Sequence, residues 1–143
     1  MARKEKAGKA MIFGVFDRLH PGHLYLLYHA RLEARELVAV IARDGTVERL
    51  KGRRPEWSER RRMRAVKATG LPTAVLLGDK AEGEYSVIKK QKPDLICLGY
   101  DQAALKKDLR AKMKDDSLPA IPLYSLKPYR PKRFHTSLQR PPS

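Results

Sequence analysis

Apolar residues along this chain gather in short unbroken runs, and between the runs they recur at helical spacing. The first run, Lys9 to Val15 (KAMIFGV), carries a glycine near its end and reads as a buried strand. Pro21 and Gly22 then open a helix of about 13 residues, in which Leu24, Leu27, Tyr28, Arg31 and Leu32 lie on repeating steps of three and four. Leu37 to Ala42 (LVAVIA) is a second strand, and Arg43 to Trp57, broken by Gly45, Gly52 and Pro55, reads as a basic loop. Ser58 and Glu59 start a helix that Gly70 and Pro72 end. Thr73 to Leu77 is a third strand, Ala81 to Lys90 a helix, and Leu95 to Leu98 a fourth strand after Pro93. A helix over Ala103 to Lys114 follows Asp101, and Ala120 to Ser125 completes the pattern as a fifth strand.

Strand and helix alternate throughout, and several strands are apolar without alternation. That pattern predicts an α/β fold: a single Rossmann-like doubly wound domain with a parallel five-stranded sheet covered on both faces. Residues 1–8 form a basic N-terminal extension, 9–126 the domain, and 127–143 a basic, Pro-rich C-terminal segment. In such a fold the ligand crevice lies at the carboxyl ends of the strands. Gly14 to His23, Arg43 to Trp57 and Gly99 to Gln102 fall there, and they are also the chemically richest segments.

Composition narrows the picture further. At 143 residues and 42% hydrophobic, the chain has the means to bury one core and is not of disordered composition. No apolar run approaches the roughly 20 residues of a membrane span, and no signal peptide is evident, so a cytoplasmic protein is expected. The one cysteine, Cys97, sits inside an apolar run as a small hydrophobe and rules out an internal disulfide. A net charge of +15 favours polyanionic partners such as nucleotides or pyrophosphate. The charge is concentrated: nine basic residues and two acidic ones lie between Arg49 and Lys67.

The segment Gly14-Val15-Phe16-Asp17-Arg18-Leu19-His20-Pro21-Gly22-His23 stands between a strand and a helix. Unpaired backbone N–H groups and the helix dipole favour an anion at such a start. Gly22 removes a side chain where a phosphate would approach, and two imidazoles beside it can donate to phosphate oxygens whose charge rises in a transition state. Zinc is the competing use of two histidines, but His29, His135 and Cys97 do not complete a matching ligand set. No metal-ligating residues are therefore assigned. Asp17 is read evenly as helix cap or site residue.

G-V-F-D-x-x-H-P-G-H resembles the signature of the cytidylyltransferase-like nucleotidyltransferases, G-T-F-D-x-x-H-x-G-H, with Val15 in place of threonine. The stretches Ala42-Arg43-Asp44-Gly45-Thr46-Val47 and Lys51-Gly52-Arg53-Arg54-Pro55 are similar to that family's A-R-D-x-x-V and K-x-x-x-P elements. By spacing from Pro55 the family's following arginine is Arg62, with Arg60 and Arg61 beside it. Leu98-Gly99-Tyr100-Asp101-Gln102, Tyr129 and Phe134-His135-Thr136-Ser137 resemble elements of archaeal-type FAD synthases that contact the nucleotide. The chain lacks the late cysteines of some of those enzymes.

The resemblance implies His20, His23 and Lys51 as catalytic residues. It implies Val15, Phe16, Asp17, His20, Gly22, His23, Arg62, Asp101, Tyr129, Thr136 and Ser137 as nucleotide-binding. It implies nucleotidyl transfer from ATP (or CTP), with Mg²⁺ carried by the nucleotide, to FMN or another phosphorylated small molecule, and a C-terminal segment that returns to the nucleotide. A homodimer stays open; a membrane is not expected as a partner, and nucleic acid is disfavoured. A cytidylyltransferase acting on glycerol phosphate or another phospho-alcohol is the alternative enzyme. A non-catalytic RNA-binding module is the alternative from another class.

Overall fold

Successive residues of a strand face opposite sides of a sheet, and the central strands here are apolar on both. The computed structural model describes residues 6–129. Ala10, Ile12, Ala39, Ile41 and Cys97 face one side, where they pack on Leu27, Ala30 and Val66. Met11, Val38, Val40, Ile96 and Leu98 face the other, where Ile88 and Leu109 cover them. The strands are β1 (Ala7–Gly14), β2 (Ala34–Ile41), β3 (Ala74–Leu77), β4 (Leu95–Leu98) and β5 (Leu123–Ser125). The helices are α1 (Pro21–Leu32), α2 (Asp44–Lys51), α3 (Glu59–Ala68), α4 (Ser86–Gln91) and α5 (Ala103–Lys114).

The two cores put α1 and α3 on one face of the sheet and α4 and α5 on the other. All pairings are parallel, in the order β3-β2-β1-β4-β5. This is the Rossmann-like doubly wound sheet of five parallel strands that the apolar runs predict. Cys97 is fully buried in β4, and burial pushes its thiol up to about 12, which keeps it protonated and unreactive. No helix among the described residues is long and apolar enough to cross a membrane.

Several elements differ from expectation. β1 and β2 begin before their apolar runs, at Ala7 and Ala34, so β1 takes in the last two residues of the expected 1–8 extension. Arg43 to Trp57 is not wholly a loop: Asp44–Lys51 is helical, ended by Gly52 in the left-handed conformation at φ 80°. Its start has no local side-chain cap; Glu59 Oε1 from α3 accepts the Asp44 N–H at 2.8 Å instead. The helix expected over Ala81 to Lys90 begins only at Ser86, whose N–H and hydroxyl both bond the Asp79 carboxylate. The fifth strand is shorter than expected, three residues long.

Candidate active site

The sheet order reverses at β1, with β2 and β3 on one side and β4 and β5 on the other. At such a switch point a crevice opens outside the carboxyl ends of the two diverging strands, here β1 and β4. The loop leaving β1 is tightly folded. Phe16 and Arg18 take φ of 53° and 51°, the left-handed region that side chains rarely adopt. Phe16 turns its buried ring back over Gly14, where a Cβ would stand 2.6 Å from Phe16 Cε2. Glycine is therefore required before this loop by space, not by backbone angle.

The loop delivers the chain to α1, and the two histidines build its start. His20 is the N-cap in extended conformation, and its Nδ1 accepts the Gly22 N–H at 3.1 Å. His23 Nδ1 reaches back to accept the His20 N–H at 3.2 Å. The pair forms a capping box in imidazole. The rings stack with centroids 3.7 Å apart, and Phe16 buttresses His23 edge-on. An accepting Nδ1 leaves each ring its proton on Nε2. Both Nε2–H groups are thereby fixed as donors. Burial, and then the neighbouring His20, lower the His23 pKa to about 4, against the opposite pull of Asp17 and Asp101.

This geometry changes two sequence-based readings. The first-turn N–H groups of α1 are not unpaired: Gly22 donates to the His20 ring, and His23 and Leu24 donate to the His20 carbonyl. Anion recognition here must fall to the imidazoles and the helix dipole. Gly22 leaves room first of all for the cap, since a Cβ there would lie 3.0 Å from His20 Cε1. Asp17 does not cap α1. Its carboxylate accepts the Glu56 and Trp57 N–H groups at 2.7 and 2.8 Å, tying the β1–α1 loop to the approach to α3. Burial works to raise its pKa, but those two bonds and nearby Arg62 and Arg18 lower it on balance.

Arg62 is the largest correction. Its side chain is 0% exposed, on the buried face of a helix whose other arginines are exposed. Its Nε donates to the Trp57 carbonyl at 3.0 Å, Nη1 to the Val15 carbonyl at 2.9 Å and Nη2 to Asp44 Oδ1 at 2.7 Å. A guanidinium spent on three protein acceptors braces the β1–α1 loop from behind and is not free to reach a phosphate. Asp44 and Glu59 complete the network by exchanging side-chain-to-backbone bonds across the starts of α2 and α3. Sequence reasoning did not assign Asp44 or Glu59 to the site, because their role depends on helices meeting in space.

On the far side of the crevice, exposed Asp101 follows β4 and is close enough to act electrostatically on His23. Tyr129 comes back over the start of α1, its Cδ2 3.8 Å from a Cβ built on Gly22 and its ring 5.4 Å from that of Tyr25. The structure thus gathers Val15, Phe16, Asp17, His20, Gly22, His23, Asp101 and Tyr129 about one crevice. Lys51 is exposed at the end of α2 and has no ion-pair partner among the described residues. Thr136 and Ser137 lie outside the described residues.

A crevice furnished in this way serves an α/β enzyme that handles a phosphorylated nucleotide. The chain belongs to the cytidylyltransferase-like family, whose model matches residues 11–125. It is 37% identical over 123 residues to an FAD synthase of Thermococcus sibiricus, covering 83% of each chain. It is 41% identical over 101 residues to an FAD synthase of Methanohalophilus mahii, covering 71% of this chain and 69% of that one. Among solved structures, the lipopolysaccharide core biosynthesis protein of Thermoplasma volcanium superposes with a TM-score of 0.77 at 30% identity. That match covers 87% of this chain and 99% of the other.

Proposed function

We propose that this chain is an FMN adenylyltransferase, joining ATP and FMN to give FAD and pyrophosphate. The reaction class rests on one observation: two stacked imidazoles whose Nδ1 atoms are committed to the backbone, leaving paired Nε2–H donors at the positive end of α1. The choice of acceptor rests on similarity to the chains named FAD synthase.

A phosphate oxygen of FMN attacks the α-phosphorus of ATP in line, the bond to the β-phosphate oxygen breaks, and pyrophosphate leaves. Negative charge shifts toward the bridging and non-bridging oxygens as the bond breaks. His20 and His23 Nε2–H groups donate to those oxygens more strongly in the transition state than in bound ATP. His23 stays neutral, so it acts as a hydrogen-bond donor that needs no proton from solvent. Lys51 adds positive charge near the leaving pyrophosphate. Val15, Phe16, Asp17 and Gly22 form the phosphate loop, and Asp101 and Tyr129 flank the nucleoside.

No three His, Cys, Asp or Glu side chains converge on one point among the described residues. Mg²⁺ would therefore be held chiefly by the triphosphate, with no dedicated protein cage. That ion supplies charge neutralisation of the leaving group. We place the activity in the cytoplasm. Incubating the protein with Mg²⁺, either ATP or CTP, and either FMN or glycerol phosphate, and separating the products chromatographically, tests the proposal. FAD and pyrophosphate from ATP are expected; CDP-glycerol from CTP and glycerol phosphate, with no FAD, overturns the acceptor and donor together.

A further inference from the structure

We propose that Gln102 is a positioning residue that holds β1 and β4 apart at the switch point and so sets the width of the nucleotide crevice. The inference rests on the reading of this crevice as the nucleotide site, and it concerns a residue whose side chain acts through its neighbours.

The ladder between β1 and β4 runs through Ala10↔Leu95, Met11↔Ile96 and Ile12↔Cys97 and then stops. β1 itself continues: Phe13 and Gly14 remain paired with β2. One more step in the β1–β4 register would set Phe13 beside Leu98. In a parallel ladder that step aims the Phe13 carbonyl at the N–H of the residue after Leu98, which is Gly99. Leu98 itself faces the other way, its carbonyl accepting the Leu126 N–H at 2.8 Å. The Phe13–Gly99 rung is therefore the next one due.

The Gln102 carboxamide takes its place. Oε1 accepts the Gly99 N–H at 2.8 Å, and Nε2 donates to the Phe13 carbonyl at 2.9 Å. The orientation of the amide is dictated by its partners, since a backbone N–H can meet only the oxygen and a carbonyl only the nitrogen. A side-chain amide is inserted as a spacer between two backbone groups that would otherwise bond to each other. Both groups stay satisfied while the strands part, so the opening leaves no orphaned polar atom. The backbone bond from Gln102 N–H to the Gly99 carbonyl, 3.1 Å, closes the turn that carries Tyr100 and Asp101. The side chain that spreads the strands thus belongs to the same turn that presents Asp101 to the crevice. Gly99 fits this crowding: a Cβ there would stand 3.1 Å from Asp101 Oδ1 and 3.7 Å from Gln102 Oε1.

Removing the spacer should let Gly99 bond Phe13 directly and narrow the crevice. Gln102→Met keeps the bulk but neither hydrogen bond. Gln102→Glu keeps an acceptor for Gly99 and sets a carboxylate oxygen against the Phe13 carbonyl. The measurement is ATP binding by titration calorimetry without acceptor, alongside KM for ATP and for the acceptor and thermal midpoints. Each variant is expected to weaken ATP by roughly tenfold, the worth of one ordinary hydrogen bond, with acceptor KM held near wild type; Gln102→Met should melt near wild type, and Gln102→Glu lower because its carboxylate opposes the Phe13 carbonyl. Unchanged ATP affinity in both variants overturns the spacer role while leaving the proposed reaction standing. Failure of both variants to fold, or an equal rise in both KM values with a lowered midpoint, reduces Gln102 to a structural residue and also overturns it. Wild-type protein that binds neither ATP nor CTP removes the parent reading and this one with it.

Discussion

Arg62 Nη2 stands 2.7 Å from Asp44 Oδ1, in an ion pair with one partner wholly buried and the other nearly so. The same guanidinium holds the Val15 carbonyl, so the pair connects the start of α2 to the loop that precedes the histidines. Breaking a buried pair leaves an uncompensated charge and here also strands two carbonyls. Arg62→Met is expected to cost roughly 3–5 kcal/mol in urea unfolding, the usual result of removing one partner of a buried pair. Arg62→Lys should recover part of that stability but not the geometry, because one ammonium cannot span three acceptors. Turnover in Arg62→Lys should fall roughly tenfold or more through misplacement of the loop. Wild-type kcat in that variant would show that the Val15 contact has no influence on catalysis.

The two histidines cap the helix and, in the proposed reaction, donate to the reacting phosphate; substitutions can separate the two roles. Asparagine is a good N-cap residue and can accept from Gly22, but it has no group where the Nε2–H of His20 stands. His20→Asn should therefore melt near wild type and lose roughly 100-fold in kcat, the scale of one preorganised transition-state donor. His20→Ala should lose the cap as well, lowering stability by roughly 1 kcal/mol. Circular dichroism melts and saturating kinetics on both variants check this. Near-normal kcat in His20→Asn would remove His20 from the catalytic assignment.

The low pKa of His23 makes a prediction with a definite sign. The folded group titrates at about 4, below the ordinary 6.5. Above pH 6.5 both folded and unfolded His23 are neutral and pH has no effect through this group. Below it the unfolded chain takes up a proton that the folded chain refuses, so stability declines between pH 6.5 and about 4. Urea midpoints at pH 7.5 and pH 5 should differ more in the wild type than in His23→Gln. The acid limb of kcat should likewise show no pKa near 6.5 from His23. Equal pH sensitivity in the variant would place the destabilisation elsewhere.

What the sequence made legible was whatever its own neighbours determine. β4 and α5 occupy their expected bounds, Leu95–Leu98 and Ala103–Lys114, because each follows a local breaker or turn. The histidine pair was legible by its place at a strand-to-helix turn, but its capping box was not, and the first-turn N–H groups read as unpaired. α2 was hidden: Gly45 and Thr46 are poor helix formers, only Val47 is buried, and its cap arrives from Glu59. Arg62 was picked out by its spacing from Pro55 as a nucleotide-binding residue, but the helix face that it shares with buried Val66, four residues on, turns it inward. Gln102 could be quoted within a motif but not given a role, because its partner Phe13 lies 89 residues away.

Lys51 lies just before Gly52 and Arg54 two residues after it, with the same charge, yet their surroundings set them apart. Arg54 lies 3.4 Å from Glu48 and 3.8 Å from Asp44, so part of its field is already cancelled and its side chain partly held. Arg49 is similarly engaged, by Glu82 and by the Lys80 carbonyl. Lys51 has no such carboxylate among the described residues. A flexible ammonium at a helix end, free of partners, can follow a triphosphate and contact it as charge moves onto the leaving group. Lys51→Ala should raise KM for ATP by roughly tenfold, the loss of one charge-assisted hydrogen bond, and Lys51→Arg should restore most of it. Arg54→Ala should have a smaller effect that disappears at roughly 0.3 M salt, where exposed charges are screened beyond a few ångströms. The Lys51→Ala defect should persist there, because a direct contact is screened less than a distant field. Equal, small defects in both variants that vanish together in salt would make this segment a general electrostatic surface and remove Lys51 from the site.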